Sequence, residues 1–128
     1  MQIFKTKWFA RFSRRERIED GRLREAVQRA DQGSIDAALG GGLIKQRVAR
    51  PGQGRRGGYR TIIAYVPNRR AVFLYGFAKS ERDNISDDDL EDLLTAAAQF
   101  LGLSEAEINR VAATGGLVEI RHDEEVPK

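Results

Sequence analysis

Between Tyr59 and Lys79 the chain holds two apolar, β-prone runs, YRTIIAYV and AVFLYGFAK, joined by Pro67-Asn68-Arg69-Arg70. This pair constrains the fold more than any other stretch. Proline and asparagine in a short connection between runs rich in Ile, Val, Tyr and Phe predict an antiparallel hairpin. The second run is apolar almost without interruption from Ala71 to Ala78, the pattern of a central strand covered on both sides. A two-residue turn at Asn68-Arg69 sets Val66 opposite Ala71, Ile62 opposite Tyr75 and Arg60 opposite Phe77. Residues directly opposite share a face, so Arg60 and Lys79 then stand on one side at one end of the hairpin. An odd loop length would separate them, because register fixes the face.

A third strand-like run, Leu43–Ala49, alternates. Leu43, Lys45, Arg47 and Ala49 point one way, and Ile44, Gln46 and Val48 the other. Residues 50–58 read RPGQGRRGG, a predicted loop whose glycines let the backbone approach a ligand while Arg50, Arg55 and Arg56 supply charge. No G-K-[ST] follows, so it is not a Walker A loop, and it does not open a helix as a dinucleotide-binding G-x-G-x-x-G would. Phosphate contact with RNA is one reading of it, and a mobile, arginine-solubilised hairpin loop is the other. The strand cations weigh toward the first. Lys or Arg inside a half-buried strand is disfavoured unless its face is wet or its charge is paired. Glu81 and Asp83 are too few to neutralise Lys45, Arg47, Arg60 and Lys79 together, so the stretch reads as a sheet face built for a polyanion.

The flanking segments read as helices. Gln2–Lys5 is a short candidate strand, and Thr6 can cap a helix bearing Trp8, Phe9 and Phe12. The i, i+1, i+4 spacing of these aromatics predicts one buried stripe rather than a base-stacking platform. Asp20 opens a second helix with Leu23, Ala26, Val27 and Ala30 on one side. Gly33 ends it, and Gly40-Gly41-Gly42 turns the chain into the Leu43 strand. Ser86 with Asp89, then Ser104 with Glu107, read as capping boxes. Leu90, Leu93, Leu94, Ala97, Ala98 and Leu101 form the apolar stripe of the longer of these two helices, and residues 117–120 a small edge strand.

With 128 residues, 41% of them hydrophobic and 32% charged, the chain suits one globular domain spanning 1–128 and not two. No run is long enough to span a membrane, the start lacks a secretory h-region, and the absence of cysteine excludes disulfides and thiolate chemistry. A cytoplasmic location is expected. Residues 1–82 carry 19 Lys/Arg against 7 Asp/Glu, and residues 83–128 carry 3 against 12. That asymmetry favours nucleic-acid contact on the basic part, against the plainer alternative of two surfaces attracting each other. Asp87-Asp88-Asp89 suit a helix start better than a metal site, and no cofactor is expected.

The pattern GGLIKQRVARPGQGRRGGYRTI, followed by an aromatic strand ending YGFAKSERDNI, resembles the RelE/HigB-like toxins of bacterial type II toxin–antitoxin systems. The likeness covers most of residues 1–101, with 102–128 as a helical extension. It implies an α+β fold in which helices pack on one face of a mainly antiparallel sheet of three to four strands. It also implies metal-independent cleavage of mRNA on the ribosome and neutralisation by a small antitoxin, expected to be a helix-turn-helix protein. By the same resemblance Lys45, Arg47 and Arg60 match basic positions on the family's concave active surface, and Lys79 and Glu81 match the end of the last sheet strand. Ser80 and Ser86 stand where the best-known members carry an arginine and a tyrosine, so the acid–base roles of those groups do not transfer.

Metal-free RNA cleavage needs a proton acceptor for the 2′-hydroxyl, charge stabilisation for the phosphorane and a donor for the leaving oxygen. The single histidine, His122, lies in the acidic tail. Like-charge neighbours favour the neutral form of a lysine, so Lys45 or Lys79 can serve as base. Arg60 would clamp phosphate with Arg47 assisting. Glu81 is either an alternative base or a partner for Lys79. Arg50, Arg55, Arg56, Tyr59 and Arg82 are the expected RNA contacts, whereas Tyr65 and Tyr75 suit the core. Two other functions fit the sequence: a ParE-like toxin inhibiting DNA gyrase by binding, and a non-catalytic RNA-binding domain.

Overall fold

The computed structural model describes residues 1–50, 54–80 and 84–121, without the side chains of residues 50 and 54–57. The apolar run after the turn becomes β5 (Arg70–Ala78), and it lies inside a six-stranded sheet. Across the sheet the order is β2 (Ala37–Gly40), β3 (Leu43–Arg50), β4 (Gly54–Val66), β5, β1 (Gln2–Thr6) and β6 (Leu117–Ile120). All neighbours are antiparallel except β1 and β5. The α+β class and the mainly antiparallel sheet are as expected. The strand count is higher because β2 and β6, each four residues long, add to the two edges.

Helices cover both faces, which corrects the expectation of one. Helices α1 (Lys7–Arg15) and α2 (Asp20–Asp31) pack with Ile44, Val48, Tyr59, Ile63 and Phe73. Helices α3 (Asp87–Gly102) and α4 (Glu105–Ala113) pack on the other side, with Leu43, Ile62, Ala64, Val72 and Leu74. The reason is the doubly apolar centre: Ala71 and Phe73 of β5 belong to one cluster, Val72 and Leu74 to the other, and each exposed apolar face would leave surface in water. Only Ala97 of α3 is fully buried, and Leu90, Leu93, Leu94 and Leu101 are only partly covered, so α3 lies more open to solvent than the helices on the first side.

Local signals place the helix starts. Thr6 Oγ1 accepts from the Phe9 N–H at 3.1 Å, Ser86 Oγ from Asp89 at 3.1 Å, and Ser104 with Glu107 forms a reciprocal capping box. The Ser104 backbone N–H, and after it the Ser104 hydroxyl, hold the Glu107 carboxyl below its usual range. At Gly40-Gly41-Gly42 all three φ angles are positive (88°, 59° and 84°), and α3 lays Leu94 and Leu101 directly over Gly41 and Gly42. Side chains there would be both strained and obstructed.

The hairpin differs from expectation at its turn and agrees at its far end. Val66 pairs with Arg70 rather than Ala71, so the loop is the three residues Pro67-Asn68-Arg69. It is closed by an Arg69 N–H to Val66 carbonyl bond of 3.0 Å, with Asn68 at φ 58°. A bulge in β5 then absorbs one residue: Ile63 pairs with Phe73 but Ile62 with Tyr75. Beyond Leu74 the partners are Arg60 with Phe77 and Tyr59 with Ala78.

Candidate nucleic-acid interface

Two rows of side chains cross β3, β4 and β5 on the face that α3 covers only in part. Lys45, Ile62 and Tyr75 form one row, and Arg47, Arg60 and Phe77 the next. Lys79 follows Phe77 by two residues, and its N–H donates to the Gly58 carbonyl at 3.2 Å. At about 4.8 Å between neighbouring strands, the rows span roughly 10 Å. Lys45, Arg47 and Arg60 therefore share one face, as strand alternation predicts. The bulge in β5, rather than the expected two-residue turn, brings Phe77 and the Lys79 backbone that follows it into the same register. Arg60 lies low at 8% exposure, Lys45 is half-buried, and Arg47 and Lys79 stand exposed on either side.

The opposite face of the same strands fixes the backbone from behind. Gln46 is fully buried, and its Nε2 donates to the carbonyls of Ala26 (2.9 Å) and Ser34 (3.2 Å). Its Oε1 accepts from the Asp36 N–H at 2.7 Å, and the Asp36 carboxylate accepts from the Arg47 N–H at 2.7 Å. Arg29 donates to the Arg47 carbonyl and reaches Asp36 at 3.9 Å and Glu25 at 2.9 Å. Thr61 Oγ1 donates to the Gln46 carbonyl at 2.9 Å. Gln46 and Thr61 are buried with their polar groups satisfied, and the more exposed Asp36 and Arg29 bond the Arg47 backbone, so β3 presents Arg47 from a rigid base.

Electrostatically the two sides differ. Lys5 with Asp20, Arg15 with Glu16, and Arg29 with Glu25 and Asp36 are ion pairs formed by α1, α2 and the segments beside them. Among the described residues, no carboxylate pairs with Lys45, Arg47 or Lys79. Arg47 and Arg60 are moreover direct cross-strand neighbours, a like-charge arrangement that costs stability.

Not every expected residue joins them. Tyr59 points to the side covered by α1 and α2, 1% exposed, and its hydroxyl donates to Glu16 Oε1 at 3.0 Å. Its place in the β4 alternation, one residue from Arg60, puts it on the opposite face, so Tyr59, expected as an RNA contact, does not face the cationic rows. Glu81, Arg82 and His122 lie outside the described residues, as do the side chains of Arg50, Arg55 and Arg56. Backbone pairing of β3 and β4 reaches Arg50 opposite Gly54, so the segment expected as a loop over 50–58 is strand at both ends. Among the described residues there is no cluster of three His, Cys, Asp or Glu side chains able to hold a metal ion, and no helix long and apolar enough to cross a membrane.

Sequence reasoning missed Trp8. Phe9 and Phe12 are buried, but Trp8 is 38% exposed and stacks on Tyr75. The nine-residue helix buries Phe9, Phe12 and Ser13, and Trp8 falls a helical step of about 100° to the side of Phe9. Spacing alone carries no signal for it, since at about 100° per residue positions 8, 9 and 12 share one arc of about 100°.

Residues 1–120 match the family described as the RelE toxin of the RelE / RelB toxin–antitoxin system. No curated protein matches the chain.

Proposed function

Since the chain belongs to the RelE toxin family, we propose that it is an endoribonuclease that cuts mRNA on the ribosome and is held in check by a cognate antitoxin. The observation that carries this reading is the shared face of Lys45, Arg47, Arg60 and Lys79, with no carboxylate on Lys45, Arg47 or Lys79 among the described residues. A phosphodiester supplies the missing negative charge. Arg60 at the floor and Arg47 beside it hold the non-bridging oxygens, where charge grows as the 2′-oxygen closes on phosphorus. Lys45 in β3 and Lys79 just after β5 flank the pair, and in this reading one takes the 2′-hydroxyl proton and the other returns one to the departing 5′-oxygen. The products are a 2′,3′-cyclic phosphate and a free 5′-hydroxyl.

Induced expression tests this. Growth arrest with mRNA cut within codons is expected, and Arg47→Ala together with Lys79→Ala abolishes it. Both side chains are exposed, so the variant still unfolds in one cooperative transition within a few degrees of the parent's. Arrest that persists in the double variant overturns the site. A second reading, a gyrase-binding toxin of the same superfamily, draws on Ser86. That residue is the N-cap of α3, its Oγ accepting from Asp89, and so serves the helix rather than proton transfer. Intact mRNA with DNA damage on induction would select that reading.

A further inference from the structure

Trp8 and Tyr75 lie at the end of the cationic rows, and no function described so far uses them. The indole is 38% exposed although the same helix buries Phe9 completely. It is also held: its centroid is 4.7 Å from the Tyr75 ring at 29° and 5.4 Å from the Phe12 ring at 12°. A side chain so fixed loses little freedom when something docks against it. Tyr75 shares a row with Lys45 and Ile62, and its ring is 6.2 Å from that of Phe77, which stands opposite Arg60. The β1–β5 pairing ends at Lys5 and Phe73, so beyond it the flank of β5 is lined by α1 and Trp8 instead of a strand. Exposed Lys7 and Arg11 flank Trp8, and the first turn of α1 carries no acidic residue.

Aromatic surface running on from a row of cations is the arrangement by which proteins hold single strands, the cations tracking phosphates and the rings meeting bases. A duplex keeps its base faces stacked away, so the ligand must be unpaired. We propose that the Trp8–Tyr75 pair is the base-contacting wall of the interface, holding a nucleobase of single-stranded RNA next to the phosphate on the Arg47–Arg60 row. This rests on the RNA-cleaving reading and adds to it the element that contacts a base.

Trp8 is the chain's single tryptophan, so its fluorescence reports the wall directly. The probe is a single-stranded 2′-O-methyl RNA of roughly ten nucleotides, which cannot be cleaved, with inorganic polyphosphate as a baseless control. Expected is saturable quenching by the RNA, none by polyphosphate, and displacement of the RNA by polyphosphate. Trp8→Ala should weaken RNA binding roughly 5- to 150-fold, the range set by one base–aromatic contact. Trp8→Phe should restore most of it, and neither should alter polyphosphate binding. RNA binding without quenching, and unchanged in Trp8→Ala, overturns the wall while leaving the cationic rows standing. Failure of both RNA and polyphosphate to bind overturns the rows and the wall together. A Trp8→Ala variant that keeps its RNA affinity but loses the antitoxin assigns the indole to a protein interface and refutes the proposal.

Discussion

Replacing Arg47 by glutamine should make the protein more stable and less able to hold RNA. Arg47 and Arg60 are direct partners across β3 and β4, so their Cα atoms are about 4.5 to 5.5 Å apart and both side chains leave the same face. Two unit charges roughly 7 Å apart repel by about 0.6 kcal/mol in bulk water and about 2.4 kcal/mol at an effective dielectric of 20. Arg47 is exposed, so the lower figure governs, and a Debye length of about 8 Å at physiological salt reduces it further. The cross-strand range of about 0.2 to 1 kcal/mol brackets the result. Arg47→Gln should therefore gain about 0.5 kcal/mol in urea unfolding at low salt, or about 2 °C in Tm for a chain of this length. The gain should disappear near 1 M salt, where the Debye length is about 3 Å. RNA affinity should fall in the same variant. A loss of stability, or a gain indifferent to salt, would refute the reasoning and make Arg47 a structural residue.

Arg70→Met should cost about 2 to 4 kcal/mol in urea unfolding. The buried guanidinium donates from Nη1 to the carbonyls of Phe100 (2.9 Å) and Leu103 (2.8 Å), and charge-assisted bonds to the end of α3 are lost with it; an unchanged midpoint would show that α3 docks without them. Burial and a hydrogen bond to Asp31 push the Tyr65 phenol well above its ordinary value. The fold thus favours the neutral phenol, so its contribution is complete below about pH 10 and is lost as pH rises through the tyrosine range toward the folded-state value. Stability measured from pH 8 to 11 should accordingly fall less steeply in Tyr65→Phe than in the parent, and equal slopes would count against this linkage.

The parts of the fold that could be read in advance are those set by local periodicity. Lys45 and Arg47 share a face because side chains alternate along any strand, and Ser104 with Glu107 caps α4 because three residues span one helical turn. What could not be read depends on distant partners. Ala37–Gly40 has no strand-forming composition, yet it pairs with β3, where the Gln46 side chain binds the backbone of Ala26, Ser34 and Asp36. Nothing local tells α3 to cover the face opposite α1, since an amphipathic helix satisfies its stripe on either side of a doubly apolar sheet. Trp8 shows the same limit at one residue: spacing grouped it with Phe9 and Phe12, and only the docking angle of α1 brought it out against Tyr75.

The bulge in β5 decides whether the cations can meet. With the three-residue turn, Val66 faces Arg70, and that register carried through would set Arg60 opposite Gly76. Phe77 and Lys79 would then share a face only with Tyr59 and the α1–α2 core, because a one-residue slip inverts every side chain beyond it. The bulge between the Phe73 and Tyr75 pairings returns Phe77 to Arg60, and Lys79 with it. Gly76 goes to the other side, where a Cβ would meet Phe12 at 2.7 Å and Phe9 at 3.0 Å. The same shift thus seats the aromatic residues of α1 behind the sheet and gathers the cations in front. Bulges re-aim side chains next to functional sites, and here turn and bulge together put Lys79 on the face of Arg60.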